Sequence, residues 1–177
     1  LKNFIGNKSF FLEILKSNIF KSENLNFNIE VKSKNVLDHR KLKNLNLNIN
    51  YENEILNFNQ SNLLFEDILY INLIDSEFKN SKKKQYFIGE FEILIKDYSK
   101  LYSFFQTTKE YRKKISSINL VVKYDFLKDQ LNFEQLSIDN KFNENMLSII
   151  QQFNQENRLL RNRIDLRNFF NSIIEEL

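Results

Sequence analysis

The sequence predicts an α+β domain: a mainly antiparallel β-sheet of about seven strands with one apolar face, one internal helical segment and C-terminal helices. Apolar and polar residues alternate with period two through most of residues 21–140, as in strands that bury one face. The alternation stops at residues 97–115, where apolar spacing becomes helical. It changes again over residues 141–177, where apolar residues recur at the spacing of amphipathic helices.

Composition fits one globular domain. The chain has 177 residues, of which 42% are apolar and 28% charged, and this excludes collagen-like, disordered and disulfide-linked classes. We therefore treat residues 1–177 as a single domain. The chain begins with Leu1 rather than Met, so we expect it to be the C-terminal fragment of a longer protein. Its abundant Asn and Lys, with only two Gly and no Pro, indicate an AT-rich genome.

The first part of the sheet follows a helical segment predicted at residues 1–20, where Phe11, Ile14 and Leu15 have helical spacing. Two strands are predicted next, because apolar residues occupy every second position. These residues are Leu25, Phe27, Ile29 and Val31, and then Leu45, Leu47, Ile49 and Tyr51. A turn at residues 52–54 predicts a hairpin that continues through Leu56 and Phe58.

Two longer strands, residues 68–77 and 85–96, are predicted to form a hairpin whose tip is the lysine run at residues 82–84. In the second of them, Phe91 and Ile93 are expected to be buried. Glu90 and Glu92 alternate with them and are expected to face solvent.

The helical segment that follows is predicted to begin at Asp97, whose side chain can cap the first turn of a helix through Phe104 and Phe105. Thr107 and Glu110 have the spacing of a capping box, which predicts a second short helix through Lys114.

The last hairpin is predicted to pair residues 118–126 with residues 131–138, with a β-bulge at Glu134 and Gln135. Two C-terminal helices follow, with apolar residues between Met146 and Phe153 and between Leu166 and Leu177. The second apolar stripe is too wide for a helix alone in water, so we expect this helix to close one end of the apolar sheet face.

Residues for enzymatic chemistry are sparse. The single histidine, His39, is expected in a solvated loop and has no Cys or second His with which to bind zinc. Gly6 and Gly89 stand alone, whereas phosphate-binding loops need glycines at fixed spacings. Glu90 and Glu92 are spaced as on an ordinary outer strand face. We therefore predict a protein that is not an enzyme, without catalytic, cofactor-binding or metal-binding residues.

Two basic segments remain open to two interpretations. They are the lysine run at residues 82–84 and the group formed by Arg158, Arg161, Arg163 and Arg167. Either segment can contact the phosphates of a nucleic acid or of lipid head groups. A solvated polar surface is the favoured interpretation of both. The net charge of +3 is small for a nucleic-acid binder, and basic and acidic residues are interspersed.

The apolar strand faces are the most informative feature, because they are expected to join into one continuous surface. Its residues are Leu25, Phe27, Ile29, Leu45, Leu47, Ile49, Phe91 and Ile93. One interpretation is a core covered by the helices, and the other is a groove that holds acyl chains. The two differ only in whether helices cover the sheet.

The order of several stretches resembles the C-terminal region of AsmA-like envelope proteins from AT-rich alphaproteobacteria. These stretches are residues 87–97, 101–106, 109–115, 136–141 and 167–174. The resemblance covers mainly residues 84–177 and extends back to about residue 20. One departure is Asn140, where we expect the family to favour Gly in the turn.

This resemblance implies the periplasmic part of a protein anchored in the inner membrane, with a β-groove and no enzymatic activity. It implies a role in outer-membrane biogenesis or in phospholipid transport between membranes. The implied partners are a phospholipid or another envelope lipid and envelope assembly proteins, with membrane contact through other parts of the parent chain. No nucleic acid is expected as a partner.

An alternative from another class is a structural or nucleic-acid-associated accessory protein, for example a ribosome-bound one, from an AT-rich genome. A single dense basic face on the folded protein would favour this alternative.

Overall fold

The computed structural model describes residues 25–36, 39–53, 55–80, 85–156, 160 and 162–177. The helix predicted at residues 1–20 and the turn predicted at residues 82–84 lie outside them. The strands are β1 Phe27–Val36, β2 His39–Glu52, β3 Ile55–Asn57, β4 Ser61–Phe65, β5 Leu69–Asn80, β6 Gln85–Ile95, β7 Ser117–Asp125 and β8 Gln130–Ile138. The helices are α1 Tyr98–Phe105, a 3₁₀ turn at Lys109–Tyr111, α2 Glu144–Gln155 and α3 Arg163–Glu175.

All strands belong to one antiparallel sheet in the order β1-β2-β3-β5-β6-β7-β8, and β4 also pairs with β2 and β5. Because β3 and β4 have the same two neighbours, they are two halves of one interrupted strand. The sheet therefore has seven strand positions, and the predicted α+β class is confirmed.

Where this strand is interrupted, side-chain hydrogen bonds replace the backbone hydrogen bonds between neighbouring strands. The backbone N–H of Phe58 donates to Ser76 Oγ at 2.7 Å, and the Ser76 N–H and hydroxyl donate to Asn59 Oδ1 at 2.6 and 3.0 Å. Gln60 then takes a positive φ of 60° before β4 begins. These bonds satisfy backbone groups that would otherwise be buried without partners.

The register places the apolar side chains of neighbouring strands on one face. Ile29 pairs with Ile49, and Phe91 pairs with Leu73 on one side and Leu120 on the other. Directly paired residues of antiparallel strands point to the same face, so the predicted alternation is confirmed along the sheet. Glu90 and Glu92 lie on the opposite face, as predicted. Glu92 is half-buried there and accepts a hydrogen bond from Asn72.

The helices pack over only part of the apolar face. One core cluster joins strands β5 to β8 to buried residues of the helices, among them Leu101, Tyr102, Met146, Ile150, Phe153, Ile173 and Ile174. A second cluster, Tyr51, Leu56 and Phe78, is built by strands, with Leu25, Phe27, Ile49, Phe58, Phe87 and Phe126 packed around it. Among the described residues, the apolar face is thus divided into a helix-covered part and a part whose packing comes from strands and the residues next to them.

The predicted start of α1 is confirmed, because the Asp97 side chain accepts from the Lys100 N–H at 2.9 Å. The predicted capping box at Thr107 is wrong. The Thr107 hydroxyl is buried and donates to Asn171 Oδ1 of α3 at 2.6 Å, so it does not cap a helix. Only one 3₁₀ turn forms there, and the chain is extended by Arg112 instead of helical through Lys114.

The last hairpin agrees with the predictions in its two strands and in the position of its β-bulge. Val121 pairs with Gln135 and Val122 pairs with Phe133, which leaves Glu134 as the extra residue of the bulge. The side-chain amide of Asn154 in α2 then covers the β8 edge: it accepts from the Phe133 N–H and donates to the Phe133 carbonyl, each at 2.9 Å.

Candidate functional site

A cleft of about 510 Å³ lies between the apolar sheet face and helices α1 and α3. We call it the apolar cleft because every residue that lines it is apolar. Strands contribute Phe91, Ile93, Leu120 and Val122, among others, and the helices contribute Phe104 and Phe169, among others.

Helix α3 forms the roof of the cleft and is fixed mainly to α1. The rings of Phe105 and Phe170 stack with centroids 4.1 Å apart. Asn171 accepts from the Thr107 hydroxyl and donates to the Phe105 carbonyl at 3.2 Å. These contacts hold the two helices together as one cover over the sheet.

The two halves of α3 differ in packing. Phe169 stacks on Phe133 of the sheet at 4.6 Å, and Ile173 and Ile174 are buried. At the other end of the helix, Ile164 is 59% exposed and Leu166 is 37% exposed. Because Leu166 also lines the cleft, the cleft meets solvent beside the N-terminal half of α3.

The volume of the cleft is large for a protein interior, since cores are close-packed and contain few voids larger than a water molecule. Because the cleft opens to solvent beside Leu166, water reaches its apolar lining. Burial of that lining against an apolar group would therefore be favourable.

Two cations lie against the ring of Phe104, which lines the cleft. Lys41 Nζ is 5.0 Å from the ring centroid, and the Arg163 guanidinium carbon is 4.5 Å from it. Arg163 also donates to the Phe104 carbonyl at 2.7 Å, and Lys41 forms an ion pair with Glu66 at 2.9 Å. We call Lys41 and Arg163 the mouth cations.

Groups with shifted pKa values lie elsewhere. Burial raises the pKa of the Tyr102 phenol, whose hydroxyl donates to the Lys113 carbonyl. The Lys100 N–H lowers the pKa of Asp97, and the hydrogen bond with Glu77 raises the pKa of Lys79. Because none of the three lines the apolar cleft, they supply no acid–base chemistry to it.

The predicted surface residues fall into three places. Phe91 and Ile93 line the apolar cleft, although each is half-buried instead of fully buried as expected. Leu25, Phe27 and Ile49 pack around the strand-built cluster, with Leu25 just before β1 and not within a strand. The others lie on the sheet face outside both cores: Leu45 and Leu47 are half-buried, and Ile29 is 47% exposed.

In the described part of the chain, helices cover one region of the apolar surface, whereas Ile29 and Val31 on the same face are exposed. Sequence reasoning missed Phe65 of β4, which lines the cleft, since Leu63, Leu64 and Phe65 do not alternate. It also missed Lys41, and no local pattern could have shown that Lys41 meets Phe104.

In the described part of the chain, no group of three or more His, Cys, Asp or Glu could hold a metal ion. No helix in that part is long and apolar enough to cross a membrane. His39 is the first residue of β2 and pairs with Val36, so its expected place in a loop is wrong.

Comparisons with protein-family models, curated proteins and solved structures found no match to this chain.

Proposed function

We propose that this chain is a lipid-binding module of an AsmA-like envelope protein and that it holds an acyl chain in the apolar cleft without catalysing a reaction. The observation that carries the proposal is a large cleft lined only by apolar side chains. In this role the module serves outer-membrane biogenesis or the transport of phospholipids between membranes, within the periplasmic part of an inner-membrane-anchored protein.

The size of the cleft suits one hydrocarbon chain. Its volume of about 510 Å³ lies within the roughly 300–1,000 Å³ of small-molecule pockets. Each buried methylene contributes about 0.8 kcal/mol, so binding needs no chemistry beyond the exclusion of water.

The exposed part of the same sheet face suits a lipid that moves. Ile29 and Val31 lie on it with side chains 47% and 40% exposed. Their face continues across the paired strands toward Phe91 and Ile93 at the cleft. A hydrocarbon chain that leaves the cleft therefore meets further apolar surface along the sheet instead of water alone.

Four described lysines are unsuited to the nucleic-acid alternative, because each is paired with a carboxylate. Phosphate backbones are bound by clusters of Lys and Arg that are free to replace counterions. Here Lys32, Lys41, Lys79 and Lys100 each form an ion pair with a nearby carboxylate. These lysines lie on different strands and a helix.

The test is binding of a neutral fluorescent hydrophobic dye to the full chain, with displacement by long-chain lipids. Ile93→Trp fills the cleft and is expected to weaken dye binding about tenfold or more, because the indole occupies the volume of the ligand. Leu94→Trp is the matched control, since the neighbouring residue Leu94 is 38% exposed and lies on the opposite face.

Thermal unfolding of both variants establishes that they are folded, and Val122→Phe fills the cleft from the next strand if Ile93→Trp is not. Equal dye binding by the wild type and both cleft-filling variants would overturn the proposal. Salt-sensitive binding of single-stranded RNA in place of dye would support the alternative.

A further inference from the structure

We infer that the apolar cleft selects amphiphiles with an anionic head group, a carboxylate or a phosphate, which the mouth cation Arg163 holds outside the cleft beside the Lys41–Glu66 ion pair. This inference rests on the proposed function and specifies the chemical class of its ligand.

Phe104 connects the two parts of the site. Its side chain lines the cleft, and its ring lies beneath both mouth cations at 4.5 and 5.0 Å. A chain that fills the cleft up to Phe104 therefore ends next to two positive groups. A guanidinium stacked on an aromatic ring keeps its in-plane N–H donors for other partners, so the contact does not consume its capacity for hydrogen bonds.

Arg163 is held in place for this role. Its Nη2 donates to the Phe104 carbonyl at 2.7 Å, which fixes the guanidinium against the ring. Guanidinium has five N–H donors in a planar arrangement, so this single bond leaves donors for a carboxylate or phosphate, which it binds in a bidentate manner.

The charge balance at the mouth is positive. Lys41 and Glu66 neutralise each other as an ion pair at 2.9 Å. On α3, the first turn contains Arg163 and one acidic residue, Asp165, and Arg167 donates to the neutral amide oxygen of Gln106 at 2.8 Å. Among these described residues one net positive charge remains, which complements an anionic amphiphile and leaves a neutral one without a partner.

The experiment compares ligands that share a chain and differ in head group. Oleic acid, oleoyl lysophosphatidic acid and oleyl alcohol each displace the neutral dye from the full-length chain at mildly alkaline pH. We expect one or both anions to bind about tenfold more tightly than the alcohol, the ratio that one charge-assisted hydrogen bond provides. The relative strength of the two anions identifies the head group as a carboxylate or a phosphate.

Variants assign the preference to the mouth. Arg163→Gln is expected to reduce the anion preference to below about threefold while the alcohol binds unchanged. Arg163→Lys is expected to keep most of it. Lys32→Gln is the control for net charge, because Lys32 lies in β1 on the polar face. If Arg163→Gln does not fold, Arg163→Met keeps most of the length of the side chain and removes its charge, with the same expected loss of the anion preference.

The outcomes separate this inference from the proposed function. Equal affinity for the acid, the phosphate and the alcohol overturns the head-group inference and leaves the cleft as an acyl-chain site. Failure of all three to displace the dye overturns both. A parallel loss of alcohol and anion binding in Arg163→Gln also overturns the inference, because Arg163 would then act on the shape of the cleft.

Discussion

Phe91 and Phe133 lie on the same face of the sheet but in different surroundings. Phe133 is 6% exposed and its ring packs against those of Phe153 and Phe169. Phe91 is half-buried and lines the apolar cleft, where its one ring neighbour among the described aromatic contacts is Phe87 at 6.5 Å. Both rings line the apolar cleft, but Phe133 is also packed between two other rings of the core, whereas Phe91 is not.

Alanine at each position is expected to report this difference. Phe133→Ala should lower the free energy of unfolding by about 3–5 kcal/mol, as truncation of a buried Phe does. Phe91→Ala should lower it by about half as much, because one side of the ring already faces open volume. Urea unfolding measures both. Equal losses would mean that Phe91 is packed as closely as Phe133.

At the scale of elements, the interrupted strand shows what alternation predicts and what it does not. Leu56 and Phe58 alternate with Asn, and the hairpin that they indicate is present as β3. The continuation into β4 was not predicted, because its register depends on a three-residue interruption. That interruption is held by Ser76 of the neighbouring strand β5, which is distant in sequence. Contacts of this kind carry no local periodicity, so a single sequence cannot reveal them.

The same limit explains the wrong helix after α1. Thr107 and Glu110 have the spacing of a capping box, but Thr107 instead bonds to Asn171, which is far away in the chain. A tertiary hydrogen bond between buried groups outweighs a local cap, because either group would lose its partner on separation.

Ser76 gives the prediction at this scale. Ser76→Ala removes the acceptor of the Phe58 N–H and a donor to Asn59, so a backbone group in a part-buried position loses its partner. We expect a loss of about 1–3 kcal/mol in the free energy of unfolding. Ser33→Ala in β1 is the control, because the Ser33 hydroxyl bonds to the Asn35 carbonyl in an exposed position. Comparable stability of the two variants in urea would contradict this account.

At the scale of the whole molecule, packing decreases across the sheet. Strands β6 and β7 have neighbours on both sides and contribute to the core under the helices. In β1, by contrast, most side chains are exposed, and β2 is its one partner among the described strands. The alternation predicted all of these as strands, yet it gave no measure of how much each is covered.

Amide hydrogen exchange is expected to follow this gradient. Exchange should be slowest in β6 and β7, whose opening requires separation of the helices from the sheet, and fastest in β1. Mass spectrometry of peptides from each strand measures the rates. Protection of β1 equal to that of β6 would show that another element or a second molecule covers it.

Only the floor of the candidate site, which the sheet residues form, could be predicted from the sequence. The period of two placed Phe91 and Ile93 on the apolar face from the sequence alone. The roof depends on how α3 packs against α1, and the mouth brings Lys41 to Arg163 through the ring of Phe104. Such encounters between distant segments follow from tertiary packing, which leaves no trace in the local pattern.

The side-chain amide of Asn154 makes the two edges of the sheet different. It bonds to the backbone N–H and carbonyl of Phe133 on the last strand, so at this residue an incoming strand finds no free backbone group. On the first strand, the backbone groups that point away from β2 have no strand partner in the described part of the chain. Strand addition is therefore blocked at Phe133 by α2, whereas in the described part of the chain no side chain of a helix blocks the outer edge of β1 in this way.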